Sequence, residues 1–99
     1  MHVISRKKLR EYCQEHADCC GSLDDWYFIA SKANWDNLIE VQSVYPKAEA
    51  VGNLTVFNIK GNKYRLIVSI DYEKQVIYIK YVLTHAEYDK DYWKNNPYF

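Results

Sequence analysis

The feature that most limits what this chain can fold into is a change of hydrophobic period near its middle. Before Pro46 apolar residues recur every three or four positions, the spacing of a helix face; from Leu54 they alternate, the spacing of a strand. Two β-rich runs, 54–60 and 63–71, are separated by Gly61-Asn62. That pair is a hairpin signal, because glycine supplies the positive φ of a primed turn. A third run, Gln75 to Leu83, follows the loop Tyr72, Glu73 and Lys74. The expected architecture is α+β, with helices packed on one face of a small antiparallel sheet built around a three-stranded meander. At 99 residues there is room for one core, so 1–99 is expected to form a single domain with 91–99 as a C-terminal tail.

The first half divides into a strand start and helices. Val3 and Ile4 suit a strand. Ser5 is a plausible N-cap for a helix whose buried stripe is Leu9, Tyr12, Cys13 and His16, with Gly21 just past its end. Ser22-Leu-Asp-Asp25 has the form of a capping box and opens a second stripe of Trp26, Ile29, Ala30 and Ala33, ending near Asn34. A shorter helix is expected within Trp35 to Val44, stopped by Tyr45-Pro46, since the residue before proline disfavours helical dihedrals.

Several function classes drop out early. Lys plus Arg and Asp plus Glu number 13 each, which excludes a basic tail binding nucleic acid by charge alone. No apolar run approaches the roughly 18 residues of a membrane span, and the start lacks the apolar stretch of a signal peptide, so a cytoplasmic protein without a membrane partner is expected. Three cysteines, Cys13, Cys19 and Cys20, cannot all pair within the chain. With His16 they offer ligand types, but no later Cys pair completes a zinc set, so no metal and no cofactor are expected. The absence of a Gly-rich phosphate loop weakens the case for a small-molecule enzyme.

Charge nevertheless has a place in the sheet. With Gly61-Asn62 as the turn, Asn58 faces Arg65 and Lys60 faces Lys63. One side then carries Phe57, Ile59, Tyr64, Leu66, Val68 and Ile70; the other carries Asn58, Lys60, Lys63 and Arg65. Carried into the third strand, the register puts Ile77, Ile79, Tyr81 and Leu83 in the core, with Tyr78 and Lys80 outside. Lys60, Lys63, Arg65, Lys74 and Lys80 against Asp71 and Glu73 make this stretch net +3, on the side the helices leave uncovered. A solvent face of a sheet often carries cations merely for solubility and edge protection.

The segment Thr84-His-Ala-Glu-Tyr-Asp-Lys90 gives that face a chemical reading. Thr84 and Glu87 form a capping-box pattern, which puts His85 and Tyr88 one turn apart at the start of a C-terminal helix, close to where Arg65 is expected. Metal-free RNA cleavage needs a base to deprotonate the 2′-hydroxyl, an acid to protonate the leaving 5′-oxygen, and cations for the phosphate. His85 can fill either proton-transfer role. Arg65 and Lys63 can hold the phosphate, and Tyr88 can position the nucleotide or stack on a base. Asn58, Lys60, Asn62 and Lys80 are expected to hold flanking RNA.

These residues also carry a resemblance. Val51-Gly-Asn, the run Val56-Phe-Asn-Ile-Lys-Gly-Asn-Lys-Tyr-Arg-Leu-Ile-Val68 and Thr84-His-Ala-Glu-Tyr-Asp-Lys90 resemble the HigB family of type II toxins, relatives of the RelE-like toxins. So do the opening Val-Ile-Ser-Arg-Lys-x-Leu-Arg, Trp26-Tyr27 and Lys32-Ala33-x-Trp35. The resemblance spans roughly residues 1 to 90. It implies a RelE-like fold with a curved sheet, and an endoribonuclease that cuts mRNA on the ribosome. It also implies a HigA-like helix-turn-helix antitoxin as partner, with the toxin able to act as co-repressor, and site residues at Lys60, Lys63, Arg65, His85 and Tyr88. Leu83 replaces a glycine common in the family, and the neutral net charge departs from its basic members. The tail residues Tyr92, Trp93, Tyr98 and Phe99 lie beyond the shared motif and are expected to pack on the body. The alternative is a non-catalytic RNA- or ribosome-binding module, or a degenerate toxin serving as co-repressor, that uses the same basic face.

Overall fold

A computed structural model describes residues 1–95. In chain order the elements are β1 (His2–Ile4), α1 (Arg6–Glu15), a 3-10 turn (Ala17–Cys19), α2 (Cys20–Lys32), α3 (Leu38–Val44), β2 (Glu49–Val51), β3 (Leu54–Ile59), β4 (Tyr64–Asp71), β5 (Val76–Thr84), α4 (His85–Asp89) and a second 3-10 turn (Tyr92–Asn95). The strands form one five-stranded sheet in the order β1-β5-β4-β3-β2. This is the expected α+β class. The antiparallel meander is extended by β2 at one edge and by β1, parallel to β5, at the other. Among the described residues no helix is long and apolar enough to cross a membrane.

The hairpin register is the one the turn predicts: Asn58 pairs with Arg65 and Val56 with Ile67. The Lys63 N–H closes the turn on the Lys60 carbonyl at 3.3 Å. Gly61 takes φ 64, and Lys60 also adopts a positive φ of 51. On the helix side Phe57, Ile59, Tyr64, Leu66, Val68, Ile77 and Ile79 pack with Leu9, Leu23, Trp26, Ala30, Trp35 and Val41 in the main core.

The helices start differently from expectation. α2 begins at Cys20, so Gly21 lies in its first turn rather than past the end of α1, and Ser22 does not cap it. The 3-10 turn carries the chain straight from α1 into α2, anchored by buried Cys19, whose thiol donates to the His16 carbonyl at 3.1 Å. Ser5 makes no side-chain capping bond, while α3 is capped by Asn37, whose side chain accepts from the Glu40 N–H at 3.0 Å. Trp26 and Ala30 are buried as expected, whereas Ile29 is exposed.

The third strand departs from strict alternation. Pairing with β4 slips at Ile67/Val68: Val68 faces Ile79, but Ile67 faces Tyr81, so Lys80 is an extra residue in β5. The slip reverses the remainder of the strand. Val82 packs against the main core, and Tyr81 and Leu83, expected there, lie on the opposite face. That face is not bare. Leu54, Val56, Ile67 and Trp93 form a second buried cluster, edged by Val51, Tyr81, Leu83 and Tyr88. Trp93, 4% exposed, is the tail residue that packs as expected, while Tyr92 is 76% exposed. Tyr98 and Phe99 fall outside the described residues.

Candidate active site

The far face places its functional side chains through β4 and α4. Arg65 lies opposite Leu83, and Tyr64 opposite Thr84, so His85 follows the last rung of the ladder. The His85 N–H donates to the Lys63 carbonyl at 2.9 Å, which ties the start of α4 to the hairpin end. The capping box read in the sequence is present: the Glu87 N–H donates to Thr84 Oγ1 at 3.2 Å, and the Thr84 N–H donates to Glu87 Oε1 at 2.9 Å. α4 thereby fixes His85 and Tyr88 relative to β4.

Arg65 is the centre of this arrangement. It is 9% exposed, yet no carboxylate of the described residues pairs with it. Nη1 donates to the carbonyls of Asn62 and Tyr64 at 3.1 and 3.2 Å, and Nη2 to Asn62 Oδ1 at 2.6 Å. A guanidinium has five N–H donors, so these bonds orient it without exhausting it. The Tyr88 ring lies 5.3 Å from Arg65 Cζ. A desolvated cation held by neutral acceptors and a ring face keeps its full charge and attracts an anion.

Tyr88 is held from two more directions. Its hydroxyl donates to Glu49 Oε1 at 3.4 Å, and its ring stacks on Trp93 with centroids 5.2 Å apart and 17° between planes. Trp93 Nε1–H donates to the Tyr88 carbonyl at 3.1 Å. Burial, and next the negative charge of Glu49, push the Tyr88 phenol above its ordinary value. It is therefore a neutral O–H donor at physiological pH. The half-exposed His85 ring has Nε2 3.3 Å from Asp89 Oδ2, a carboxylate one turn along that can set its orientation.

The remaining predicted residues are distributed around this centre. Asn62 belongs to it directly, and Asn58 borders an open cavity of about 420 Å³ that Asn62, Lys47 and Tyr45 also line. Lys60 and Lys63, expected in one strip with Arg65, reach towards the helix side instead. Their Nζ atoms lie 3.3 and 3.5 Å from Asp18 Oδ2. Lys80, at the bulge, lies over the Tyr78 ring at 5.7 Å and lines a cavity between β5 and α1 with Lys8, Glu11 and Tyr12. Arg65 thus contacts Asn62 and Tyr88 at one end of the far face, with Asn58 opposite it across the ladder, His85 tied by its backbone to Lys63 at the start of α4, and the lysines turned to Asp18 or the bulge.

Sequence reasoning missed Glu49, Trp93's contact with Tyr88, and Asp18. Trp93 was visible as one ring of an aromatic tail. Glu49 and Asp18 carried no local signal, because they reach partners 39 and 42 residues away. The cysteine cluster has local partners: Cys20 Sγ donates to the Cys13 carbonyl at 3.4 Å, and burial first, then Cys20, pushes the Cys13 thiol up to about 12. The His16 ring stacks on Tyr12 at 4.2 Å.

Comparison with known proteins bears on the same segment. Residues 19–91 match the family HigB_toxin, described as the RelE-like toxic component of a toxin-antitoxin system. The protein named mRNA interferase HigB of Escherichia coli O6:H1 is 24% identical, over 97% of this chain and 98% of its own length. The mRNA interferase toxin HigB of Escherichia coli (strain K12) and the mRNA interferase HigB of Shigella flexneri are each 28% identical, over 90% of this chain and 88% of theirs.

Proposed function

The chain belongs to the HigB family of RelE-like toxins, and from that membership we propose that it is an endoribonuclease that cleaves mRNA. The observation that carries the reading is the desolvated Arg65, held by carbonyl and amide oxygens over the Tyr88 ring, on the rung of Leu83, two residues before His85. A phosphodiester placed against Arg65 has its non-bridging oxygens on a guanidinium whose orientation is already fixed, which costs no reorganisation as charge grows there. His85 transfers the proton, as base towards the 2′-hydroxyl or acid towards the leaving 5′-oxygen. Tyr88 donates a hydrogen bond to the nucleotide at the scissile position. Lys63 and Lys60 take adjacent phosphates, with Asn58, Asn62 and Lys80 along the flanking strand. His85 takes one of the two proton transfers and the Tyr88 phenol the other, with cations from Arg65 and the lysines, so the proposed attack needs no metal.

Cation placement favours a message that is brought to the protein. The cations are local within a chain of zero formal net charge, so long-range attraction for free RNA is weak. Presentation on the ribosome supplies the missing local concentration. The toxin–antitoxin family implies a neutralising partner, and a HigA-like helix-turn-helix protein is the one proposed.

Induced expression without antitoxin should arrest growth and produce discrete cuts in mRNA, mapped by primer extension. His85→Ala and Arg65→Ala should each slow cleavage by about a hundredfold or more. Arrest and cleavage unchanged in both variants would remove the site assignment. One observation favours the rival, a binder without chemistry: Arg65, Lys60 and Lys63 all have partners within the protein. Harmless expression combined with retained RNA binding would select it.

A further inference from the structure

Three donors from one end of the β3–β4 hairpin converge on a single carboxylate. Tyr64 Oη lies 2.7 Å from Asp18 Oδ1, and Lys60 and Lys63 Nζ lie 3.3 and 3.5 Å from Oδ2. The hairpin supplies all three donors, and the helical layer supplies only the acceptor, from the 3-10 turn between α1 and α2. Asp18 is placed there by its neighbour: Cys19 is fully buried, while the Asp18 side chain stays 39% exposed. Ion pairs this open to water contribute little to stability, so holding the fold together accounts for the Tyr64 hydrogen bond but not for the two lysines drawn to the same carboxylate. Two lysines and a phenol arranged about an oxyanion are instead a donor set that suits a phosphodiester, whose non-bridging oxygens accept the same charge-assisted bonds.

We infer that Lys60, Lys63 and Tyr64 form a phosphate subsite for the RNA backbone, and that Asp18 occupies it in the free protein until a phosphate displaces it. The inference rests on the ribonuclease reading above and adds an occupant to the site. Asp18 lowers the charge seen by an incoming strand from two cations to a net of one. RNA must therefore compete with a carboxylate already in place. Free RNA competes poorly, whereas a strand held at high local concentration displaces Asp18. The subsite lies towards the helix side, so the phosphate it takes flanks the one at Arg65.

The test uses the full chain and a fluorescein-labelled single-stranded RNA whose 2′-O-methyl riboses prevent cleavage, with anisotropy followed across a salt series. Asp18→Asn keeps the size of the side chain and an acceptor for Tyr64 but removes the charge. It should bind RNA up to about tenfold more tightly at low salt, with a log–log salt slope steeper by about 0.7, the value for one more phosphate neutralised on a single strand. Lys60→Ala should cancel most of that gain in the Asp18→Asn background. Tyr64→Phe, which leaves Asp18 and both lysines charged, should not reproduce it. Asp18→Ser serves as a second charge-removing variant with the same expectation. If wild type cleaves RNA but the Asp18 variants bind no tighter, with an unchanged slope, the inference falls and the ribonuclease reading stands. A gain equalled by Tyr64→Phe also overturns it, since that would be a packing effect. Failure of wild type and the Asp18 variants alike to bind RNA at the lowest salt overturns the inference, while growth arrest and mRNA cleavage on induction decide the ribonuclease reading separately. Tighter, steeper binding by the variants of a protein that never cleaves supports the subsite and removes the enzyme.

Discussion

Replacing Trp93 by alanine tests whether the C-terminal segment is part of the fold or merely rests on it. Trp93 is 4% exposed and packs with Leu54, Val56 and Ile67. It also stacks on Tyr88 and donates to the Tyr88 carbonyl. Truncating a buried Trp to Ala costs about 3–5 kcal/mol in a closed core. Trp93 is the one buried residue of its short 3-10 turn, however, so that turn can detach instead of preserving a cavity, and the lower part of that range is expected. A loss of about 3 kcal/mol is a large share of the 5–15 kcal/mol typical of a domain. With a urea m-value of about 1–3 kcal/mol/M, the midpoint should fall by about 1–3 M. Far-UV circular dichroism would follow the transition. Trp93→Phe, which keeps a ring against Tyr88 but loses the N–H, should recover most of the stability. RNA cleavage should drop with Trp93→Ala, because Tyr88 loses the surface that positions it. A loss below about 1 kcal/mol with wild-type cleavage would refute the argument, and the tail would then be an accessory.

Further expectations follow from single contacts. Thr84→Ala removes the N-cap of α4 and should cost about 1 kcal/mol by urea denaturation, with reduced cleavage because His85 is the next residue. Deleting Lys80 should remove the bulge yet leave Tyr81 opposite Ile67 and Leu83 opposite Arg65, since only the extra residue is lost, so cooperative unfolding should persist, as it should for Lys80→Ala. The Tyr64 hydroxyl, then Lys60 and Lys63, hold the Asp18 carboxyl below its ordinary value. The stability this contributes is complete above the unfolded value of about 3.9 and is lost as pH falls through the lower folded value. Asp18→Asn should therefore flatten the acid limb of the stability profile below about pH 4. The Asp18 hydrogen bond raises the Tyr64 phenol to about 12, so its contribution is complete below about pH 10 and is lost as pH rises towards 12. Tyr64→Phe should remove that alkaline limb in the same titration.

The parts of the fold legible in the sequence are those set by neighbours along the chain. Gly61-Asn62 fixed the register of Asn58 against Arg65 because a turn determines the ladder that leaves it. Thr84 and Glu87 located α4 because a capping box is complete within four residues. The reversal in β5 was not legible, since Lys80 carries no mark of being an extra residue and the slip is defined only against Ile67 and Val68. Gly21 was misleading for a related reason: the buried Cys19 carries the chain through a 3-10 turn into α2, which decides where that helix begins. At the site, Arg65, His85 and Tyr88 could be placed from strand and cap geometry. The turning of Lys60 and Lys63 towards Asp18 could not, because it depends on how the helical layer is docked.

The parallel pairing of β1 with β5 gives the fold a chronology. The ladders among β3, β4 and β5 join segments adjacent in the chain, whereas His2 pairs with Val76, and Val3 with Ile77. Closing a loop of about 74 residues costs roughly 2.5 kcal/mol more chain entropy than closing the four-residue Lys60–Lys63 turn. The edge strand is consequently added to a sheet that already exists, late on the folding route. Contacts made after the rate-limiting step govern how quickly the native state is left, and hardly how quickly it is reached. The buried Val3 side chain is thus a kinetic latch: it sets how long a folded molecule persists.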